Sequence, residues 1–262
     1  MKEPGTGPVE GPAAEPAAAG PRPAAGAGTG PAAGRVTRRD PQSFDHLPAR
    51  YDRLAALLGA ELRAWLLFHL PPTGGRAVDL GCGTGVQTAM LAERYREVLA
   101  VDLSGPMIDF ARQRRPEPNV SYQQRDLRAV EPPRDGGFDL VFSAYTLHHV
   151  AEFPSALYRM RSLLRPGGRI LLVDLVDDRP VVPRAWFRRR AWETFGRDLR
   201  LGGRPVGVAV ELLRLQLDRD WLDHQTTDRL MTAEEWDAHC RAVFPGATIA
   251  PLDRARALAW TR

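Results

Sequence analysis

The densest cluster of residues able to do chemistry is Asp79-Leu80-Gly81-Cys82-Gly83-Thr84-Gly85. Glycines at alternate positions let a backbone turn tightly and approach a ligand closely. The acid two residues ahead of the first glycine is badly placed to face a pyrophosphate and well placed to face an ammonium group. The dinucleotide fingerprint reads G-x-G-x-x-G, whereas this stretch reads G-x-G-x-G. Asp102 follows Gly81 by 21 residues, an offset at which an acid can hold ribose hydroxyls. Asp126, in Arg125-Asp126-Leu127, can accept a hydrogen bond from an exocyclic amine such as that of adenine. Further on, His148 and His149 are adjacent, and His224 lies in Trp221-Leu222-Asp223-His224. Histidine titrates near neutrality, so His148 and His224 are candidate general bases. The plainer alternative is that one ring packs and another is solvated. Cys82 and Cys240 are too few for a disulfide framework, and Cys82 reads as a small packing residue. No CxxC or Cys/His spacing suggests zinc, and no metal is expected.

These groups need elements to position them. Arg76–Leu80 reads as a short apolar strand, Thr84–Tyr95 as a helix, Val98–Asp102 as a strand and Ser104–Arg114 as a helix. Val120–Gln124 and Phe138–Ser143 are strands, Phe153–Leu164 is a helix, and Arg169–Leu175 is the most apolar strand. This alternation predicts a parallel sheet with helices on both faces, because strands buried on both faces need continuous apolar runs. The three acids then fall at the carboxyl ends of three successive strands, where open α/β sheets bind ligands. Upstream, Leu54, Leu57, Leu58, Leu62 and Leu66 predict one helix over Ala49–Leu70, stopped by Pro71, Pro72, Gly74 and Gly75. Residues 177–230 break the alternation with two helices, Arg184–Phe195 and Val208–Leu217. Thr232 and Glu235 form a capping box for another helix. Strands at Thr248–Pro251 and Ala255–Trp260 follow.

Length and composition bound the rest. With 262 residues, 44% of them hydrophobic, the chain can build one sizeable α/β domain. Of residues 1–34, 25 are Ala, Gly or Pro, which predicts a disordered tail over 1–43 and a folded domain over 44–262. No apolar run approaches the ~20 residues that cross a bilayer. The start, Met1-Lys2-Glu3, lacks an apolar signal region, and a cytoplasmic protein is expected. The net charge is +4, but Lys2 is the only lysine; so strong an arginine bias reads as coding pressure, not as a nucleic-acid footprint. Arg184, Arg188, Arg189 and Arg190 interleave with Trp186, Phe187, Trp192 and Phe195. They are read as a lid helix with its aromatic residues inward, in preference to a membrane-surface helix or an RNA patch.

Taken together, VDLGCGTG (78–85), AVDLSGPMIDFAR (100–112), QQRDL (123–127), FDLVFSAYTLHHV (138–150) and LRPGGRILLVDL (164–175) resemble the motifs of class I S-adenosylmethionine-dependent methyltransferases, in order and spacing. PGA (245–247) and ALAW (257–260) resemble that family's closing antiparallel hairpin. The resemblance covers about residues 44–262. It implies a Rossmann-like, doubly wound, mostly parallel sheet with that hairpin and a helical lid insertion at 177–230. It further implies S-adenosyl-L-methionine as cofactor. Asp79 and the Gly81 carbonyl would hold its ammonium, with Gly83 and Gly85 letting the loop pass beneath. Asp102 would take the ribose hydroxyls, Leu103 and Met107 would flank the adenine, and Asp126 and the Leu127 amide would bond its edge. Ser143 and Ala144 would lie beside the methionine portion, and Tyr51 would close over it. The implied reaction is in-line methyl transfer to an O, N or C nucleophile of a small, aromatic or lipid-like molecule. The rivals are an RNA or protein acceptor, an NAD(P)-dependent oxidoreductase, and a protein that binds the cofactor without transfer; Asp79 and the glycine spacing count against the oxidoreductase.

Overall fold

Branched and aliphatic runs that cannot be left in water form the middle of one sheet. A computed structural model describes Met1 and residues 45–134, 136–179, 182–228 and 230–262. From Asp45 onward the described residues belong to one compact unit, Arg38–Arg262. Apart from Met1, the expected tail lies outside the described residues. The sheet has strand order β3-β2-β1-β4-β5-β7-β6. Its members are β1 (Gly74–Leu80), β2 (Tyr95–Asp102), β3 (Val120–Gln124), β4 (Phe138–Ala144), β5 (Leu164–Leu175), β6 (Thr248–Leu252) and β7 (Ala255–Thr261). The first five pair in parallel, and β7 pairs antiparallel with both β5 and β6. The order reverses between β1 and β4, so a crevice opens beyond their carboxyl ends.

Alternation along each strand decides which helices it faces. Val78, Leu80 and Val141 point to one side, where they pack with Leu157 and Met160 of α5 (Phe153–Leu163) and Trp236 of α9 (Ala233–Val243). Ala77, Leu140 and Phe142 point to the other, against Leu62 and Leu66 of α2 (Ala60–His69) and Leu91 of α3 (Val86–Ala92). The predicted single helix over Ala49–Leu70 is in fact two, α1 (Pro48–Leu58) and α2, hinged at Gly59. Glycine is the poorest helix former after proline. The predicted helix over Thr84–Tyr95 shortens to α3 because Gly85 is left-handed, at φ 80, and the chain is already extended by Tyr95. The helix α4 (Gly105–Arg114) is capped by Ser104, whose Oγ accepts from Met107 N at 3.3 Å. The last parallel strand begins at Leu164 rather than Arg169, since Leu164 pairs with Phe138 before the register shifts.

Between β5 and α9 stand α6 (Arg184–Leu201), α7 (Val206–Leu217) and α8 (Arg219–Thr227). The third was not predicted; Asp218 starts it by accepting from Asp220 N and Trp221 N. Val182, Phe187 and Leu222 form their own small apolar cluster here, separate from the sheet's two cores. Among the described residues no helix is long and apolar enough to cross a membrane.

The capping box is present as expected: Thr232 Oγ1 accepts from Glu235 N at 3.1 Å, and Glu235 Oε2 accepts from Thr232 N at 3.0 Å. Thr232→Ala should cost about 0.5–2 kcal/mol. A urea titration checks it: the midpoint falls and the slope stays unchanged.

Candidate active site

Asp79, next to last in β1, has 1% of its surface exposed, and its Oδ2 accepts from Thr88 Oγ1 at 2.6 Å. Burial pushes its carboxyl up to about 7; the Thr88 hydrogen bond works against this, and the nearby Asp102 adds to it. A dry carboxylate with one hydroxyl partner is stabilised by any cation brought to it. Asp102, at the end of β2, is also raised, again chiefly by burial. Its Oδ2 accepts from Gly83 N at 2.8 Å and its Oδ1 from Ser104 N at 2.9 Å. Asp102 therefore clamps the glycine loop against β2, a task beyond the ribose contact expected of it.

The loop needs its glycines. Gly81 has φ 78, and a Cβ there would lie 2.2 Å from the Thr146 side chain, whose Oγ1 donates to the Gly81 carbonyl at 3.3 Å. Gly83 has φ 52, and an added Cβ would meet only Tyr51, at 3.4 Å. Tyr51 reaches over the loop from α1, with its ring centroid 6.5 Å from that of Trp221 on α8. Burial drives its phenol above the ordinary range, with Tyr145, Asp102 and Asp79 adding to the shift. Arg115 secures this cover: Nη1 donates to the Thr84 carbonyl at 2.7 Å, and Nη2 lies 2.7 Å from Asp52 Oδ1.

The other expected residues take varied positions. Asp126 is held by Arg128 through its backbone N at 2.9 Å and Nε at 3.0 Å, which lowers the carboxyl. Leu127 is buried in the core, Leu103 is exposed, and Met107 is almost wholly buried. Ser143 is fully buried, and its Oγ donates to the Leu80 carbonyl at 2.7 Å, so that proton ties β4 to β1. Ala144 ends β4 beside it.

The two candidate bases, remote in sequence, come together. His148 lies in a 3-10 turn after β4, and its Nδ1 is 2.6 Å from Asp174 Oδ1 on β5. The His149 ring is 4.0 Å from that of His148 and 5.7 Å from that of His224 on α8. Asp228, just after α8, sits 3.9 Å from His148 Nε2 and 3.7 Å from His149 Nδ1. Burial lowers the His224 pKa, with Asp228 opposing and His148 reinforcing the shift. Sequence reasoning missed Asp174 and Asp228. An acid within the otherwise apolar run of β5 was the available signal for Asp174; nothing local marked Asp228.

A seven-stranded 3-2-1-4-5-7-6 sheet with a glycine loop and paired acids at its carboxyl edge defines a class I S-adenosylmethionine-dependent methyltransferase. The family model described as a methyltransferase domain matches residues 78–172. An uncharacterised methyltransferase of Mycobacterium tuberculosis is 31% identical over 194 residues, spanning 74% of this chain and 90% of that one. A cypemycin N-terminal methyltransferase of a Streptomyces species is 35% identical over 145 residues, 53% of this chain and 58% of its own. The DhpI–SAH complex shares the fold at a TM-score of 0.57 and 21% identity, covering 85% of this chain and 95% of that chain. The chain belongs to the methyltransferase-domain family and uses S-adenosyl-L-methionine. The site fits that group: the buried Asp79 and the half-buried Asp102 suit a ligand carrying an ammonium and hydroxyls, and the Gly83 position leaves room beside the loop.

Asp79 should make the ligand-free protein pH-sensitive. Its carboxyl keeps a proton up to about 7 when folded and only up to about 4 when unfolded. Between those values the folded chain carries the extra proton, so stability falls as pH rises through that window and levels off above it. Asp79→Asn should flatten this slope and raise Tm at pH 8, while weakening S-adenosylhomocysteine binding at least tenfold. Thermal scans from pH 4 to 8 and calorimetry check the two halves.

Proposed function

We propose that this enzyme methylates an oxygen or nitrogen nucleophile of a small molecule held beneath α6–α8, and that His148 receives the acceptor's proton at Nε2. The observation that carries this reading is the 2.6 Å contact between His148 Nδ1 and Asp174 Oδ1. A carboxylate only accepts hydrogen bonds, so Nδ1 carries the hydrogen and the lone pair lies on Nε2. Asp174 orients the ring and stabilises its charged form once it has gained a proton. S-adenosyl-L-methionine supplies an already activated methyl group on its sulfonium. The chain's remaining tasks are positioning and removal of the proton, and positioning alone can supply much of the rate.

For the cofactor, we assign Asp79 to the ammonium, Asp102 to the ribose hydroxyls, and Asp126 with Leu127 to the adenine edge. Tyr51 serves as the cover. His224, whose pKa burial lowers, is a second polar anchor beside Trp221. Arginines on and around α6 are engaged within the chain: Arg190 of α6 lies 3.3 Å from Asp253 Oδ1, while Arg179, after β5, and Arg254, in the turn before β7, stack on Trp186 and pair with Asp177. That favours a small acceptor over a nucleic acid. The O-methyltransferase cnsE of Penicillium expansum is 32% identical over 146 residues, 54% of this chain and 50% of its own. Two free, buried cysteines suit a reducing cytoplasm.

The acceptor can be found by incubating cell extract with the enzyme and isotopically labelled cofactor, and identifying the labelled product by mass spectrometry. On that acceptor, His148→Ala should lower kcat by about 10²–10⁴-fold, the usual contribution of a general base. S-adenosylhomocysteine affinity should stay within twofold. Asp174→Asn should lower kcat with KM nearly unchanged. An unaltered kcat in His148→Ala removes the base from the mechanism.

A further inference from the structure

The acid and imidazoles under α8 form a group that base catalysis does not require. Only Asp174 and His148 are needed to move a proton, yet His149 and Asp228 close on the same point. Ligand atoms of His148, His149 and Asp228 all lie within 4.8 Å of one another, one atom from each residue. The closest approaches are 3.9 Å from His148 Nε2 to Asp228 Oδ2 and 3.7 Å from His149 Nδ1 to Asp228 Oδ1. Both are too long for hydrogen bonds. They are close to the separation of two ligand atoms sharing one ion: bonds of about 2.0–2.2 Å at a tetrahedral angle put the ligands roughly 3.3–3.6 Å apart.

We propose that His148, His149 and Asp228 form a binding site for a divalent d-block cation of the zinc type. Two imidazoles and one carboxylate are a donor set for zinc and its neighbours, not for magnesium or calcium, which favour oxygen. The group also has the support that such a site needs. Asp174 takes the Nδ1 hydrogen of His148, which holds the ring and aims the Nε2 lone pair inward; ligating histidines are commonly fixed in this way. Asp174 is itself held, its Oδ1 accepting from Leu175 N at 3.0 Å, and it is fully buried. The three ligands come from two places, the turn after β4 and the segment after α8, so an ion would pin the lid to the sheet edge. Three protein ligands leave a fourth position open.

One lone pair cannot hold a cation and accept a proton. Occupancy of the site is therefore exclusive with the role of His148 as base, and bound zinc should silence methyl transfer; this consequence, unlike the site itself, rests on the proposed function.

The test uses the full chain stripped with a chelator. Zinc chloride titrated by calorimetry, and cobalt chloride followed by visible absorption, should each show one saturable site. His149→Ala and Asp228→Asn should each weaken zinc at least tenfold. Asp174→Asn, which removes only the support of His148, should weaken it by about 10–100-fold. His239→Ala, whose ring packs against Phe153 outside the group, should leave it unchanged. S-adenosylhomocysteine binding by every variant verifies folding. Absence of saturable zinc and cobalt binding in the parent, or equal affinity in folded His149→Ala and Asp228→Asn, overturns the site. Zinc that binds as described without inhibiting transfer upholds the site and removes His148 as base.

Discussion

Two carboxylates near the ends of adjacent parallel strands, Asp79 buried and Asp102 half-buried, are the constraint around which this molecule is arranged. Burying an ionised group is expensive unless partners compensate for lost water. Asp102 has two backbone N–H donors, from Gly83 and Ser104, and Asp79 has the Thr88 hydroxyl. Those partners leave both groups raised, so the ligand-free fold retains an unmet electrostatic demand. A ligand that brings an ammonium and hydroxyl donors meets it.

That arrangement also explains the geometry around it. Because Asp102 holds the Gly83 amide, the glycine loop cannot drift from β2. Because Thr146 fills the space beside Gly81, the loop cannot tolerate a side chain there. Tyr51, secured through Asp52 and Arg115, lies across the loop and reaches toward Trp221. From Trp221 a run of rings continues through His224 and His149 to His148, with successive centroids 5.6, 5.7 and 4.0 Å apart. The cover over the glycine loop and the helices over the histidines are therefore in continuous contact. Since α6–α8 carry a small apolar cluster of their own, they form a semi-independent layer laid across the sheet's carboxyl edge. Acceptor-determining segments are commonly of this kind, varied upon a constant sheet.

The sheet is legible in the amino-acid sequence because its signals are local. A strand buried on both faces has to be apolar throughout, so β1, β4 and β5 announce themselves; Ser104 and Thr232 cap their helices from one position away. The acids Asp79 and Asp102 can be placed for the same reason, each at or next to the end of a strand before a turn. Element ends are less legible. A long leucine periodicity hides the break at Gly59, and Leu164 joins its strand only because Phe138 is available to pair with it.

What the sequence by itself determined was the succession of strands and of the helices between the parallel ones, the glycine loop and the identity of the acids at the sheet's edge. All of these depend on neighbours within a turn or a strand's length, and on burial that composition reveals. Tertiary structure alone decided that Ser143 spends its hydroxyl on the Leu80 carbonyl, that Asp102 clamps the loop, and that Asp174 orients His148. It alone gathered His148, His149, His224 and Asp228 at one point. Those contacts join positions from 19 to 80 residues apart, as the Asp102–Gly83 and His148–Asp228 pairs illustrate. No local propensity records which distant side chain will face a given imidazole; the packing of α8 across the sheet's edge makes that choice.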